Sequence, residues 1–153
     1  MKRHPGWLAA GLLIFTVLAC NLSKNKNSST ANDKPTNRPA NAEVYVDQIQ
    51  LAKDDNGKAG DSTTTFEPSE HTVHVVITLN KAKAGTQVRV AWIAADVEGA
   101  KNKELKSLDY TTTAFDKKVP GYLTWSQDWP KGQYRVEVYI NGVLDKTLNY
   151  SVE

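Results

Sequence analysis

The sequence predicts an all-β fold: an antiparallel β-sandwich of seven short strands that follows a disordered tether. From Glu43 onward, apolar and polar residues alternate with a period of two, as in strands that bury one face. Turn-forming stretches rich in glycine, asparagine and proline separate the alternating runs. The chain has 153 residues, which is enough for one ordinary domain but not for two.

Composition and charge exclude several classes of protein. The chain is 40% hydrophobic and 24% charged, so it is neither wholly disordered nor a polytopic membrane protein. Residues 1–42 hold six basic groups and one acid, whereas residues 43–153 hold 13 basic and 16 acidic groups. An acidic body without a basic, aromatic-lined face predicts no nucleic-acid partner. The single cysteine excludes an internal disulfide and a zinc site built on several thiolates.

The first element is a leader. Lys2 and Arg3 precede an uncharged, largely apolar run that ends at Ala19. A basic start followed by a short apolar run is the build of a secretory signal peptide, and the run is too short for a comfortable membrane span. Residues 1–19 are therefore predicted to be a signal peptide.

The sequence Val17-Leu18-Ala19-Cys20 resembles the lipobox of bacterial lipoproteins, although Leu18 is larger than the usual residue there. The resemblance implies cleavage between Ala19 and Cys20, diacylation of the Cys20 sulfur and often acylation of its new amino group. Membrane lipid is then a partner through Cys20, and two or more acyl chains anchor stably. Asn21 implies no inner-membrane retention, so an outer membrane is the expected destination if the host has one. The alternatives are a buried cysteine or an uncleaved membrane helix.

Residues 20–42 are predicted to be a disordered tether. Beyond Leu22 they contain no large apolar residue, so nothing offsets the entropy lost on ordering the chain. Their net charge of +3 would suit contact with anionic lipid headgroups, but a solubilising spacer is the favoured interpretation.

The body, residues 43–153, divides into seven predicted strands. Alternation is clearest from Val73 to Leu79, from Val88 to Ala94 and from Tyr134 to Ile140. The strands are expected near 43–53, 71–80, 86–95, 105–113, 119–126, 133–140 and 143–152. Seven strands in about 110 residues match an immunoglobulin-like or fibronectin-III-like sandwich.

The final hairpin has two possible registers. A two-residue turn at Asn141-Gly142 pairs Ile140 with Val143 and sets apolar positions against polar ones. A three-residue loop, 140–142, pairs Tyr139 with Val143, aligns both apolar faces and gives Gly142 the left-handed position of a bulge. We predict the three-residue loop.

Two aromatic residues are predicted landmarks of the sandwich. Trp92 lies on the third strand, where such folds place a core tryptophan, and Tyr134 opens the sixth strand, where they place a tyrosine corner. Residues 129–142 look like the C-terminal half of Ig-like domains in bacterial lipoproteins. That resemblance carries no catalytic signature, and the proteins that share it are largely uncharacterised.

No metal or cofactor site is predicted. His71 and His74 are three positions apart, which directs them to opposite faces of a strand, and both are expected to be exposed edge residues. The acidic loop 54–61 departs from the EF-hand pattern, because Gly57 comes too early and Lys58 occupies a ligand position. A polar hairpin loop is favoured there over a weak calcium site.

No catalytic residue is predicted, and the protein is not expected to be an enzyme. The serines of the body lie in no Gly-x-Ser-x-Gly elbow, the body has no cysteine, and no glycine loop suits a phosphate.

The candidate ligand contacts are aromatic. Trp125 and Trp129 are four positions apart, and Tyr139 faces outward on the sixth strand. Exposed rings would stack a sugar or anchor a peptide. The favoured alternative is that Trp125 fills the core and Trp129 caps its end.

Together these features predict a lipid-anchored, cell-envelope binding or assembly module without catalysis, whose partner is an envelope protein or glycan. The alternative is a carbohydrate-binding or carbohydrate-processing accessory that uses exposed tryptophan and tyrosine.

Overall fold

The computed structural model describes residues 37–153, which form two β-sheets packed face to face around one core. The all-β, Ig-like sandwich prediction is confirmed. This range contains nine strands: β1 (Val46–Asp55), β2 (Lys58–Ser62), β3 (Thr65–Phe66), β4 (Thr72–Leu79), β5 (Gln87–Val97), β6 (Ala100–Thr111), β7 (Lys118–Thr124), β8 (Gly132–Ile140) and β9 (Val143–Val152).

The first sheet has the order β2-β1-β4-β7 and the second the order β3-β9-β8-β5-β6. Every pairing is antiparallel except that of β3 with β9. Seven of the strands match the predicted ones. The structure has two further short strands, β2 and β3, so the predicted count of seven was too low by two. Every residue of β2 is exposed and β3 is only two residues long, so neither shows the alternation that marks a half-buried strand.

The core confirms both aromatic landmarks. Trp92 is fully buried between the sheets on β5. The Tyr134 hydroxyl donates a hydrogen bond of 2.6 Å to the carbonyl oxygen of Pro130, four residues upstream, as in a tyrosine corner. Both residues therefore have the positions that the sequence predicted for them.

The predicted three-residue loop of the last hairpin was wrong. Ile140 pairs with Val143 across a two-residue turn in which Asn141 (φ 50°) and Gly142 (φ 82°) are both left-handed. This is the turn that an Asn-Gly pair favours. The register is corrected inside β9 instead: Tyr139 pairs with Leu144 but Val138 with Lys146, which leaves Asp145 as the extra residue of a bulge.

The connections lie at two opposite ends of the sandwich. Segments 37–45, 80–86, 112–117 and 141–142 form what we call the entry end, because the chain enters β1 there. Segments 56–57, 67–71, 98–99 and 125–131, with residue 153, form the far end. The two ends differ in charge.

Part of the predicted tether is bound to the sandwich. The Arg38 guanidinium donates to both carboxylate oxygens of Asp145 at 2.6 and 3.0 Å and to the Val46 carbonyl at 2.9 Å, and it stacks 4.3 Å from the centroid of the Tyr45 ring. Residues 37 and 38, which were predicted to belong to the tether, therefore contact the domain.

The remaining predictions for the N-terminal part of the chain fall outside the described residues. These are the signal peptide 1–19, the cleavage site between Ala19 and Cys20, acylation of Cys20, and the tether over 20–36. Within residues 37–153, no helix is long and apolar enough to span a bilayer.

Candidate functional site

A cleft of about 510 Å³ opens beside β7, where the outer face of the first sheet meets the edge of β6. Val73 and Val75 of β4 point into the core, so His74 between them points to the outer face. Tyr122 lies directly opposite His74 on β7, and the two ring centroids are 5.7 Å apart. The pair of rings forms the centre of the cleft.

The β1–β2 hairpin covers His74. The His74 ring Nε2 and the Asp54 carboxylate are hydrogen-bonded at 2.6 Å, and the backbone N–H of Gly57 donates to the same carboxylate at 3.2 Å. These hydrogen bonds, that of His74 foremost, hold the pKa of Asp54 below its ordinary value. Because the hairpin lies over its ring, His74 is buried. The prediction that it is exposed was wrong.

His71, by contrast, is exposed as predicted. Its ring Nε2 contacts the Asp128 carboxylate at 3.0 Å at the far end, away from His74. The segment after Asp54 is a polar hairpin, with a tight turn at Asn56 (φ 52°) and Gly57 (φ 82°), as predicted. Residues 37–153 hold no group of three or more His, Cys, Asp or Glu side chains that could bind a metal ion.

The cleft combines an apolar wall with polar margins. Tyr122 is 59% exposed, and Pro120 and Leu108 line the cleft beside it. The exposed lysines Lys58 and Lys106 stand at its margins. Such a surface can stack an aromatic or sugar ring and bind a carboxylate or other acceptor at its edge.

This cleft is lined by four side chains that can act as nucleophiles or carry protons, those of His74, Tyr122, Lys58 and Lys106. Its lining includes no serine, threonine or cysteine in the part of the chain that the structure describes. The two threonine hydroxyls nearby in sequence, on Thr72 and Thr124, are hydrogen-bonded to each other at 3.0 Å.

Of the two candidate tryptophans, Trp129 is buried and Trp125 is partly buried. Trp129 is 2% exposed, and its indole N–H donates to the His71 carbonyl at 3.2 Å. Its ring stacks on Trp125 at 5.4 Å and meets Tyr134 edge-on at 5.6 Å. Trp125 is the partly buried ring that packs against the core, so the predicted roles of the two tryptophans are reversed.

Tyr139 is not brought together with the tryptophans. It lies half-buried on the outer face of the second sheet, where its hydroxyl donates to the Glu137 carboxylate at 2.6 Å. That hydrogen bond and partial burial raise the pKa of Tyr139 to about 12. The Arg89 guanidinium lies 5.8 Å from its ring centroid. Tyr139 is thus engaged within its own sheet.

Sequence reasoning missed Tyr122 and Leu108. The available signal was parity: Val119, Gly121 and Leu123 face the core, so Tyr122 must face outward on β7. Nothing local in the sequence shows that β6 brings Leu108 beside it, because β6 and β7 lie in different sheets.

Comparison with known proteins supports the fold. An immunoglobulin-like protein from Pseudomonas aeruginosa, solved as a crystal structure, matches 75% of this chain and 100% of its own, with a TM-score of 0.53 and 15% sequence identity. Likeness at this identity shows the fold alone. No family model and no curated protein matches the chain.

A second solved structure is more distant. The alkylpurine DNA glycosylase AlkC of Pseudomonas fluorescens, bound to DNA with an abasic-site analogue, matches 73% of this chain and 31% of its own. The TM-score is 0.44 and the identity 13%, so this likeness carries no argument about the present chain.

Proposed function

We propose that the protein is a lipid-anchored binding module of the cell envelope, without catalytic activity, and that it captures its partner in the cleft centred on Tyr122. One observation carries the choice of site: a tyrosine that is 59% exposed stands in a cleft of about 510 Å³, over a histidine fixed by Asp54. Exposed aromatic rings beside pockets are typical anchors of binding surfaces.

The sequence supports the anchor. The lipobox-like residues before Cys20, and the polar segment between Cys20 and the domain, predict a sandwich held near a membrane by a flexible chain. Anchoring confines the module to two dimensions, which raises its effective concentration toward other membrane-bound molecules. A shallow cleft with weak intrinsic affinity then suffices.

The cleft is a better capture site than the edge strands β6 and β7. The long edge strand β6 carries exposed Lys101, Lys103 and Lys106, and its pairing with β5 is broken by a bulge at Leu105. The edge strand β7 contains Pro120, which has no N–H to donate. These are the devices by which sheets resist the addition of another strand.

A glycan is the second candidate partner. Tyr122, rather than the buried Trp129, is the ring available for stacking on a sugar, and Lys58 and Lys106 offer hydrogen-bond donors at the margins. The favoured partner is an envelope protein, whose side chains would pack on the apolar wall formed by Tyr122, Pro120 and Leu108.

The anchor is tested by metabolic labelling with palmitate. The wild-type protein should incorporate label and fractionate with membranes, whereas Cys20→Ser should do neither. A matched control exchanges the leader for a secretory signal peptide without a lipobox, which should release a folded, unlabelled protein into the envelope. Labelling that survives Cys20→Ser would contradict the anchor.

The cleft is tested by photo-crosslinking in native envelopes. A crosslinking amino acid at position 122 should give a discrete adduct, whereas the same group at Tyr139, on the outer face of the opposite sheet, should not. Adducts of equal yield at both positions would contradict a specific site. Titration of wild type and Tyr122→Ala with envelope glycans separates the two partner classes, since only a glycan-binding cleft would respond.

A further inference from the structure

One aromatic side chain is exposed at the entry end. Phe115, in the loop between β6 and β7, is 92% exposed, the largest exposure among the large hydrophobic residues in the described part of the chain. A fully exposed phenylalanine forgoes the stabilisation that burial of its ring would provide, about 2 kcal/mol. The position therefore suits a ring that is buried in something other than its own domain.

The loop holds the ring outward in a defined turn. The Asp116 carboxylate accepts hydrogen bonds from the Thr113 backbone N–H at 2.6 Å and from the Tyr110 hydroxyl at 3.0 Å. The Lys117 N–H donates to the Phe115 carbonyl at 3.0 Å, and the Phe115 N–H to the Thr113 hydroxyl at 3.3 Å. Little backbone conformational entropy remains to be lost when the ring is buried.

The charge around Phe115 is positive, and the opposite end is negative. The connecting segments of the entry end contain four basic residues and two acidic ones: Arg38, Lys81, Lys83, Lys117, Glu43 and Asp116. Asp145 of β9 neutralises Arg38, and Glu43 pairs with both Lys81 and Lys83, so a net charge of +1 remains at this end. The corresponding segments of the far end contain five acidic residues and one basic one: Glu67, Glu70, Glu98, Asp128, Glu153 and Lys131. This asymmetry would orient the domain toward an anionic surface by its entry end.

The chain that precedes the domain also starts from the entry end. Arg38 is bound to Asp145 beside the first residue of β1, and the Asn37 N–H donates to the Leu144 carbonyl at 3.2 Å. Only 16 residues separate Asn37 from Cys20. A tether of that length, as the sequence predicts, would have a root-mean-square reach of roughly 22 Å. An anchor at Cys20 would thus hold the entry end, rather than the far end, close to the bilayer.

We propose that the entry end docks on an anionic bilayer surface, with the Phe115 ring inserted at the boundary of headgroups and acyl chains and Lys81, Lys83 and Lys117 against the headgroups. The proposal rests on the proposed function for the anchor that brings the domain to the membrane. Docking in this orientation directs the β1–β2 hairpin, whose turn lies at the far end beside the cleft, away from the bilayer.

The test uses the mature chain, residues 21–153, with an N-terminal hexahistidine tag in place of Cys20. The tag holds the chain on phosphatidylcholine vesicles that carry a small fraction of nickel-chelating lipid, with or without phosphatidylglycerol. An environment-sensitive NBD dye is attached at Phe115→Cys or, as a matched control at the far end, at Gln127→Cys. Because the tag replaces the acyl anchor, the outcome does not depend on whether Cys20 is acylated in the cell.

With phosphatidylglycerol present, the dye at position 115 should shift to shorter wavelength and become protected from an aqueous quencher, while the dye at 127 stays unchanged. High salt and Lys117→Glu should each reduce the shift at 115. Equal responses at both positions, or no response at 115, would overturn membrane docking and leave Phe115 as a contact for a protein. Failure of palmitate labelling, by contrast, would overturn only the anchor.

Discussion

Tyr134 and Tyr150 lie directly opposite each other on β8 and β9 with their rings stacked, 5.2 Å between centroids and 18° between planes. Their hydroxyl groups nevertheless have different surroundings. That of Tyr134 donates to the Pro130 carbonyl, whereas that of Tyr150 is buried without a hydrogen-bond partner among residues 37–153. Burial raises the pKa of both hydroxyls.

This difference in hydrogen bonding predicts that replacement by phenylalanine changes stability differently at the two positions. Tyr134→Phe removes a hydrogen bond and leaves the Pro130 carbonyl unpaired, which should lower the free energy of unfolding by about 1–3 kcal/mol. Tyr150→Phe removes a buried polar group with no described partner, so stability should be unchanged or higher. Urea unfolding of the two variants measures both effects. Equal destabilisation by the two substitutions would contradict the assignment.

The ion pair between Arg38 and Asp145 predicts where the stable domain begins. A chain that starts at residue 37 should be more stable than one that starts at residue 43, by about 2 kcal/mol, because the shorter chain leaves the buried Asp145 without its guanidinium partner. Arg38→Ala in the longer chain should reproduce most of the loss. Thermal unfolding of the three proteins provides the comparison, and equal stabilities would show that the segment before Glu43 is dispensable.

Gly132 is predicted to tolerate no side chain. Its φ is 143°, and a Cβ there would lie 2.5 Å from the Asp96 carbonyl oxygen. Gly132→Ala should therefore cost about 3 kcal/mol or more, through backbone strain and displacement of β5. Gly85→Ala is the matched control, since Gly85 has φ 78° with nothing within 4 Å of the added Cβ. Its cost should be about 1–2 kcal/mol from conformation alone. Urea midpoints of the two variants test the ranking.

The Glu43 carboxylate predicts an acid-dependent loss of stability. Its ion pairs with Lys81 and Lys83 lower its pKa from 4.5 to about 2. Since the folded state then binds this proton less readily than the unfolded state, the pair stabilises the fold fully above pH 4.5. That contribution should decline as the pH falls from about 4.5 to 2.

Glu43→Gln should flatten the pH dependence of the unfolding free energy within that window. The double variant Lys81→Met and Lys83→Met should flatten it in the same way, because it removes the partners and keeps the carboxylate. Denaturant unfolding between pH 2 and 6 measures the slopes. An unchanged slope in Glu43→Gln would contradict the ion-pair assignment.

The alternation of apolar and polar residues within single strands was sufficient to predict much of the fold. The period-two alternation identified the seven main strands, the burial of Trp92 and the corner at Tyr134, because each depends on which face of one strand a residue occupies. The register of the β8–β9 hairpin could not be predicted from the alternation within single strands. A bulge at Asp145 restores the apolar alignment, and its carboxylate accepts hydrogen bonds from Val46 and Arg38, which are about a hundred positions away.

The sequence by itself determined that the body is an all-β sandwich, since burial of one strand face needs only the order of nearby residues. It also provided the whole basis for expecting an anchor at Cys20. Tertiary structure alone decided most of the candidate surfaces: it buried Trp129 and His74, placed Leu108 beside Tyr122, exposed Phe115 and bound Arg38 to Asp145. Those outcomes depend on which strands and loops come together across long stretches of chain, and the alternation within a strand carries no record of its distant neighbours.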